Sequence, residues 1–231
     1  MELFSKPVQR VDTILAHCDG KNVLHLGCTN WPYTDSSMID NSLLHASIAK
    51  RSRELYGIDS DELGLEALRG LGFTNLFRSD LEKLDNCGID TTFDIVIAGE
   101  MIEHLSNPGA FLSGVKRFLR PDSQLLITTV NAYCAIRTFL YAFLGKGGKR
   151  EPVHPDHVAY YSYSTLNLLL TRHGFQVEEF YFYDIGKEHR SHNRLLVNLT
   201  NDVAVRIFPQ LSDGLIAVCT SRCDQEELQV Q

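Results

Sequence analysis

Short runs of apolar residues alternate with amphipathic stretches along most of the chain. Five of these runs predict β-strands, at residues 22–27, 54–59, 75–80, 93–99 and 124–130. Helices are predicted between them, because apolar residues recur at three- and four-residue intervals in the stretches 43–53, 61–72 and 107–120. Strands and helices that alternate in this way predict a parallel sheet with helices on both faces.

Residues at the ends of the helical stretches support this assignment. Asp61 can cap the second helix and Gly72 can end it. Pro108 follows Asn107 at the start of the third helix, where its missing N–H costs nothing. Beyond residue 131 the pattern predicts helices at 133–144, 164–174 and 195–208 and strands at 175–185 and 214–222. The predicted fold is therefore α/β, with a Rossmann-like sheet of about seven mostly parallel strands.

Composition narrows the class of protein and of partner. The 231 residues carry a net charge of -7, which argues against a nucleic-acid partner. The start of the chain has no apolar leader, and the run 139–144 is too short to span a bilayer. Six cysteines without a CxxC pair indicate reduced thiols rather than a disulfide framework. We therefore expect a cytoplasmic protein with no membrane partner. No internal repeat or linker divides the chain, which predicts one domain over residues 1–231.

Polar residues and one glycine end the first three predicted strands. Gly27 can let backbone approach a ligand closely, although an ordinary strand-to-loop glycine is the alternative. Asp59 can accept hydrogen bonds from both hydroxyls of a ribose, and Asp80 can meet the amino group of an adenine. Because parallel strands end at one edge of a sheet, these groups predict a nucleoside site there.

A cluster of ionisable residues follows the fourth predicted strand. Glu100, Glu103 and His104 are spaced so that one helical turn would present all three on one face. In one interpretation they converge with His157 on a divalent cation, which would activate an acceptor hydroxyl. In the other, Glu103 stabilises the start of the next helix, where a negative group contributes about 0.3–1 kcal/mol. Without a metal, His104, His154 or His157 could act as a general base.

Five segments, in this order, resemble the class I S-adenosylmethionine-dependent methyltransferases. They are VLHLGC, LYGIDSD, RSDLEKL, the long block FDIVIAGEMIEHLSNPGAFLSGVKRFLRPDSQLLITTVNAY, and YYSYSTLNLLLTRHGF, which together cover roughly residues 20–180. The resemblance implies S-adenosyl-L-methionine as the cofactor, bound by a half of about 20–131, with acceptor-side segments at about 29–41 and 132–161. It implies these cofactor contacts: Gly27 at the methionine part, Asp59 at the ribose, Asp80 with Leu81 at the adenine, and Glu100 near the methyl group. Cys28 and Ser60 are also expected to bind the cofactor.

The pattern E-x-x-EH followed by DH narrows the resemblance further. It is similar to the metal-dependent 2'-O-methyltransferases of small-RNA 3' ends and, more loosely, to the O-methyltransferases of ubiquinone biosynthesis. This likeness implies four ligands for Mg²⁺ or another divalent cation: Glu100, Glu103, His104 and His157. The residues expected to be catalytic are His104, His157 and Glu100.

The expected function is methylation, at oxygen, of a small molecule or a sugar-containing biosynthetic intermediate, with metal assistance as a hypothesis. Three alternatives stay open at this point. They are an RNA-terminus 2'-O-methyltransferase, a nicotinamide-dependent Rossmann oxidoreductase, and a catalytically silent member of the methyltransferase family. The sequence names neither the acceptor nor the oligomeric state.

Overall fold

A mixed sheet of eight strands forms the centre of the computed structural model, which describes residues 6–184 and 195–222. The strands are β1 (Val8–Gln9), β2 (Asn22–Leu26), β3 (Glu54–Asp59), β4 (Leu76–Arg78), β5 (Phe93–Gly99), β6 (Leu119–Val130), β7 (Phe175–Asp184) and β8 (Gly214–Ser221). The helices are α1 (Arg10–Cys18), α2 (Thr34–Ile39), α3 (Leu44–Ala49), α4 (Glu62–Gly70), α5 (Pro108–Val115), α6 (Ala135–Leu144), α7 (Tyr163–Arg172) and α8 (Leu195–Ile207).

The strand order confirms the predicted fold class and changes the strand count. The order across the sheet is β1-β7-β8-β6-β5-β2-β3-β4. β8 runs antiparallel to β6 and β7, and every other neighbouring pair is parallel. The sequence predicted seven strands; the eighth is β1, whose two residues pair with Tyr183 and Asp184. Two residues are too few to produce a periodic pattern that could be read from sequence.

Helices cover both faces of the sheet, as predicted. Alternate residues of β5 enter different cores: Val96 packs on one face and Ile97 on the other. The first core also contains Phe111 of α5 and Leu166 of α7, and the second contains Ile14 of α1. Both faces of the central strands are therefore buried, which explains their nearly continuous apolar sequence.

Helix ends follow the predicted capping residues. The Asp61 side chain accepts a hydrogen bond from the Gly64 N–H at 3.1 Å, and α4 begins at the next residue after the cap. Asn107 accepts from the Ala110 N–H at 3.0 Å, with Pro108 at the first helical position of α5. The predicted helix 43–53 is shorter than expected, because only α3 forms within it and the short α2 precedes it.

The parallel register brings three strand ends to one level. Leu26 at the end of β2 pairs with Ile58 of β3 on one side and with Ala98 of β5 on the other. Residues just beyond these positions therefore emerge together at the carboxyl edge of the sheet. Within the described ranges no helix has both the length and the hydropathy needed to cross a bilayer. The cysteines there are free and buried, and Cys223 lies outside the described residues.

Gly214 provides a test of how tightly β7 and β8 pack. A Cβ atom at this position would lie 2.0 Å from the ring of Tyr183, its partner in the register. We expect Gly214→Ala to lower the free energy of unfolding by about 1–3 kcal/mol, because the buried ring must move. The matched control is Gly70→Ala in α4, where a Cβ meets no atom within 4 Å. That variant should gain about 0.4–1 kcal/mol. Urea denaturation measures both, and equal values for the two variants would contradict this packing.

Candidate active site

A cavity of about 460 Å³ opens at the carboxyl edge of the sheet. The structure places all seven predicted cofactor residues on its walls: Gly27, Cys28, Asp59, Ser60, Asp80, Leu81 and Glu100. Arg10, His25 and Trp31, which were not predicted to bind the cofactor, also line the cavity, as does His104. One cavity therefore brings together residues from α1, from the loops after β2, β3 and β4, and from the end of β5.

Gly27 turns the chain away from β2 in a conformation that a side chain would strain. Its φ angle is +71°, in the left-handed region. Its N–H donates to the Ile58 carbonyl at 2.9 Å, and a Cβ here would lie 3.4 Å from the Met101 Cβ. The left-handed backbone is therefore what favours glycine here, because a Cβ at 3.4 Å would make only an ordinary van der Waals contact.

Asp59 ties the first loop to the end of β3. Its Oδ2 accepts hydrogen bonds from the Thr29 N–H at 3.0 Å and from the Thr29 hydroxyl at 2.9 Å. Its Oδ1 accepts from the Asp61 N–H at 3.0 Å. A carboxylate has about four acceptor positions, so the protein's own donors occupy most of them. Asp59 thus positions the loop around the cavity as well as facing it, a role that the sequence did not predict.

Asp80 is held in its ionised form by two neighbours. Its carboxylate accepts from the Glu82 N–H at 2.9 Å and lies 3.1 Å from the Lys83 ammonium. The Glu82 N–H first, and the hydrogen bond from Lys83 next, lower the pKa of this carboxyl below its usual value. The side chain is exposed at the cavity rim beside the half-buried Leu81.

Glu100 leaves β5 with a φ angle of +52°, so its backbone is left-handed directly after the strand. Its N–H donates to the Thr128 carbonyl at 2.9 Å, and its Oε1 accepts a hydrogen bond from the Tyr183 hydroxyl. Tyr183 is only 1% exposed. Burial, followed by the Glu100 charge, raises the pKa of this tyrosine well above its usual value. The tyrosine therefore remains a donor that fixes the Glu100 carboxylate.

Three of the four predicted metal ligands come together. Glu103, His104 and His157 each offer a ligand atom, and these atoms lie within 4.8 Å of one another. Glu103 is fully buried in a 3-10 turn, Ile102–His104. The Glu103 backbone carbonyl accepts from the Val158 N–H at 2.9 Å, which attaches the loop carrying His157 to this turn.

Glu100 is not in this group, which corrects the predicted geometry. The spacing of Glu100, Glu103 and His104 predicted that all three share the first turn of one helix. The left-handed backbone at Glu100 instead separates it from the turn, and Tyr183 engages its carboxylate. Glu100 still lies close enough for its charge to affect the pKa values of Glu103 and His157.

Two buried polar atoms of the cluster have no hydrogen-bond partner in the described part of the chain. They are Oε1 of Glu103 and Nδ1 of His157. The other Glu103 oxygen accepts from the Thr129 hydroxyl at 2.9 Å. Burial, and then the Glu100 charge, raises the pKa of Glu103 to about 7. Burial, and then His104 and His154, lowers the pKa of His157 to about 4. Most buried polar atoms in proteins are hydrogen-bonded, so these two atoms are available to a ligand without the loss of an existing bond.

Aromatic and histidine rings continue from the cluster into the acceptor-side segment. The rings of His104 and His157 are perpendicular with centroids 4.5 Å apart, and His154 lies 4.7 Å from His157. The Arg137 guanidinium stacks 4.1 Å above the centre of the Tyr160 ring. The segment therefore forms a wall of planar side chains beside the cluster.

Arg10 lines the cavity although no sequence pattern predicted it. It precedes the first predicted strand, yet it reaches the cavity and donates to the Thr128 hydroxyl at 3.4 Å. Among residues 6–184 and 195–222 it forms no ion pair with an acidic side chain. Its guanidinium is thus a positive charge that faces the cavity without a carboxylate partner.

His25, which lines the cavity, pairs with a second buried histidine, His45. His25 and His45 are 2% and 1% exposed, and their Nδ1 atoms lie 3.2 Å apart, so one ring donates to the other. Burial lowers the pKa of His45 to about 4. Burial, His45 and Arg10 lower that of His25 well below its usual value. Both rings are therefore neutral at physiological pH.

Comparison with known proteins identifies the family. The chain belongs to the methyltransferase domain family, whose model matches residues 4–179. This confirms the class I S-adenosylmethionine-dependent resemblance, and S-adenosyl-L-methionine is the cofactor of these methyltransferases. Family membership also favours a methyltransferase over a nicotinamide-dependent oxidoreductase.

Individual relatives share 30% sequence identity or less with this chain in the two examples that follow. A ubiquinone biosynthesis O-methyltransferase of Hahella chejuensis is 28% identical over 131 residues, which cover 54% of this chain and 49% of that protein. A Mycolicibacterium smegmatis protein named "Probable S-adenosylmethionine-dependent methyltransferase" is 30% identical over 167 residues, covering 71% of this chain and 56% of that protein. The chain thus spans about half the length of these curated relatives.

A solved structure supports the fold. Magnesium protoporphyrin IX methyltransferase from Synechocystis, with bound S-adenosylhomocysteine, superposes with a TM-score of 0.57 at 15% identity. The match covers 92% of this chain and 82% of that chain. At this identity the likeness shows the shared fold alone.

The neutral histidine pair predicts a loss of stability in acid. Because folding lowers both pKa values, their contribution is complete above the unfolded pKa and is lost as pH falls from about 6.5 towards 4. The His45 shift alone corresponds to a loss on the order of 3 kcal/mol. His45→Gln should make the free energy of unfolding depend less on pH between about pH 7.5 and about pH 5. Urea titrations measure this, with exposed His154→Gln as the control. An unchanged slope in His45→Gln would show that the pair does not cause the loss.

Proposed function

We propose that this protein transfers a methyl group from S-adenosyl-L-methionine to an oxygen atom of a small-molecule acceptor. The observation that supports this most directly is the position of His104, which both lines the cavity and belongs to the cluster with Glu103 and His157. An acceptor bound at the cluster would therefore lie beside the cavity wall that carries Glu100. The curated relatives named as ubiquinone biosynthesis O-methyltransferases support oxygen as the acceptor atom.

The cavity residues take complementary parts in holding the cofactor. Gly27 admits the methionine part next to backbone, Asp59 offers its remaining acceptor position to a ribose hydroxyl, and Asp80 faces the adenine. Arg10 adds a positive charge near Gly99, where it can pair with the carboxylate of the cofactor's amino-acid end. The sulfonium supplies the activated methyl group. The protein's task is then to align the acceptor and exclude water.

The donor set of the cluster suits a divalent cation. One carboxylate and two imidazoles would hold it: Glu103, His104 and His157. Imidazole ligands favour transition metals, whereas Mg²⁺ prefers oxygen ligands and water. Two buried atoms of the cluster, Glu103 Oε1 and His157 Nδ1, have no hydrogen-bond partner among the described residues. A metal or a polar ligand could bind both. When bound, such a cation lowers the pKa of an acceptor hydroxyl.

Asp59 provides the test of cofactor binding. We expect Asp59→Asn to weaken S-adenosylhomocysteine binding by on the order of tenfold to a hundredfold, because both the loop anchor and a ligand acceptor are lost. Titration calorimetry measures this. Asp19→Asn, at an exposed position near the end of α1, should bind as the wild type does. Equal affinity in Asp59→Asn would remove this residue from the site. No detectable binding by the wild type would favour a catalytically silent family member.

The cluster predicts that activity depends on a metal. We expect chelation to abolish methyl transfer, and Mn²⁺ to restore it better than Mg²⁺, because two of the three ligands are imidazoles. Glu103→Gln and His157→Gln should lose bound metal, measured by elemental analysis after dialysis. His154→Gln is the matched control, since His154 lies next to His157 but outside the cluster. Full activity in a metal-stripped sample would leave only the metal-free mechanism.

Acceptor identity requires a screen. Formation of S-adenosylhomocysteine can be followed with phenolic, catecholic and sugar-containing hydroxyl compounds and with short RNA. Turnover of a small hydroxyl compound supports the proposal. Turnover of RNA 3' ends alone would replace it with the RNA-terminus alternative.

A further inference from the structure

The last turn of α6 presents apolar side chains to solvent on every side. Tyr141, Phe143 and Leu144 are 56%, 75% and 53% exposed, and Ala142 between them is exposed as well. Four consecutive residues cover the whole circumference of a helix that has 3.6 residues per turn. The turn 141–144 therefore exposes half or more of each large apolar side chain to solvent. We call it the apolar tip.

α8 packs against α6 and has an apolar face of its own. Leu199, Val203 and Ile207 are 61%, 50% and 58% exposed. Their spacing of four residues places them on one side of the helix. Two neighbouring helices thus each expose large apolar side chains that no described part of the chain covers. Exposed apolar surface of this kind marks a site of interaction rather than packing.

Basic residues follow the apolar tip directly. Lys146, Lys149 and Arg150 are all exposed, and within the described residues none of them takes part in an ion pair. The Arg150 guanidinium donates to the Gly145 carbonyl at 3.4 Å. Glu151 offsets one of the three charges. The local excess of positive charge contrasts with the net charge of -7 of the chain.

We propose that the apolar tip, with these three basic residues and the adjoining face of α8, docks on the surface of an anionic lipid bilayer. Apolar side chains can enter the boundary between headgroups and acyl chains while lysine and arginine contact the anionic headgroups. This mode of binding needs no spanning helix. It revises the expectation from sequence that the protein has no membrane partner, which considered only whether the run 139–144 could cross a bilayer.

Two features favour a bilayer over a protein partner. The six large exposed side chains of the apolar tip and of the α8 face are fewer than the about 20–30 residues that each partner contributes to a standard protein interface. A two-fold dimer through this turn would also bring the two sets of Lys146, Lys149 and Arg150 together, and like charges repel. A fluid bilayer can surround the turn and match both its apolar and its charged parts.

Vesicle flotation tests the proposal with the full chain. The wild type should bind phosphatidylcholine vesicles that contain phosphatidylglycerol, bind pure phosphatidylcholine more weakly, and lose binding as salt rises. Each basic residue near an anionic surface strengthens binding by about fivefold. Replacing Lys146, Lys149 and Arg150 together by glutamine should therefore weaken binding by on the order of a hundredfold. Phe143→Ser with Leu144→Ser should also weaken it, because the inserted apolar area is lost.

The matched control is Leu63→Ser, since Leu63 is 78% exposed on α4, away from the apolar tip. It should bind vesicles as the wild type does. Thermal unfolding of every variant checks that the exposed substitutions leave the fold intact. Equal wild-type binding to both vesicle types, absence of binding, or a dimer in light scattering that the Phe143 variant disrupts would overturn the proposal. Affinity for S-adenosylhomocysteine should be unchanged in all these variants, so this result and the test of methyl transfer are independent.

Discussion

The Asp59 carboxylate is the interaction on which the cofactor side of the protein depends. It accepts three hydrogen bonds from two loops, and it is only 8% exposed. Bonds to an ionised acceptor are stronger than those between neutral groups. The loop after β2 begins at Gly27 and is held at Thr29, so its backbone has a fixed position at the cavity. The carboxylate therefore organises the site before any ligand is present.

The other side of the site is held from β6 and β7. The hydroxyls of Thr129 and Tyr183 donate to Glu103 and Glu100, and Thr128 receives the Glu100 N–H. Two acidic side chains that would otherwise repel each other are thus held by separate hydrogen-bond donors. Glu100, at the proposed methyl-donor site, and Glu103, in the proposed acceptor cluster, are only three residues apart in the chain.

Burial controls the charge of the histidines and of Glu103. His25, His45 and His157 are kept neutral because removing a charged ring from water is costly. The same effect raises the pKa of Glu103 to about 7. The lowered pKa of His157 leaves its imidazole free of a proton at neutral pH, whereas the raised pKa of Glu103 means that a cation must displace a proton from this carboxyl. The chemistry proposed here therefore follows from where the cluster lies as much as from which residues form it.

Sequence by itself determined the local features of this protein. Asp61, Asn107 and Pro108 were correctly predicted at helix ends, because capping depends on residues a few positions apart. The alternation of strand-like and helix-like runs predicted that β2 to β6 are parallel. Five sequence segments, above all the long one that begins with FDIVIAG, indicated the methyltransferase family. Tertiary structure alone decided the contacts that join distant segments. It brought Tyr183 to Glu100 and Arg10 to the cavity, and it separated Glu100 from the cluster of Glu103, His104 and His157. Such contacts depend on strand pairing and burial across more than 80 residues, which no local pattern encodes.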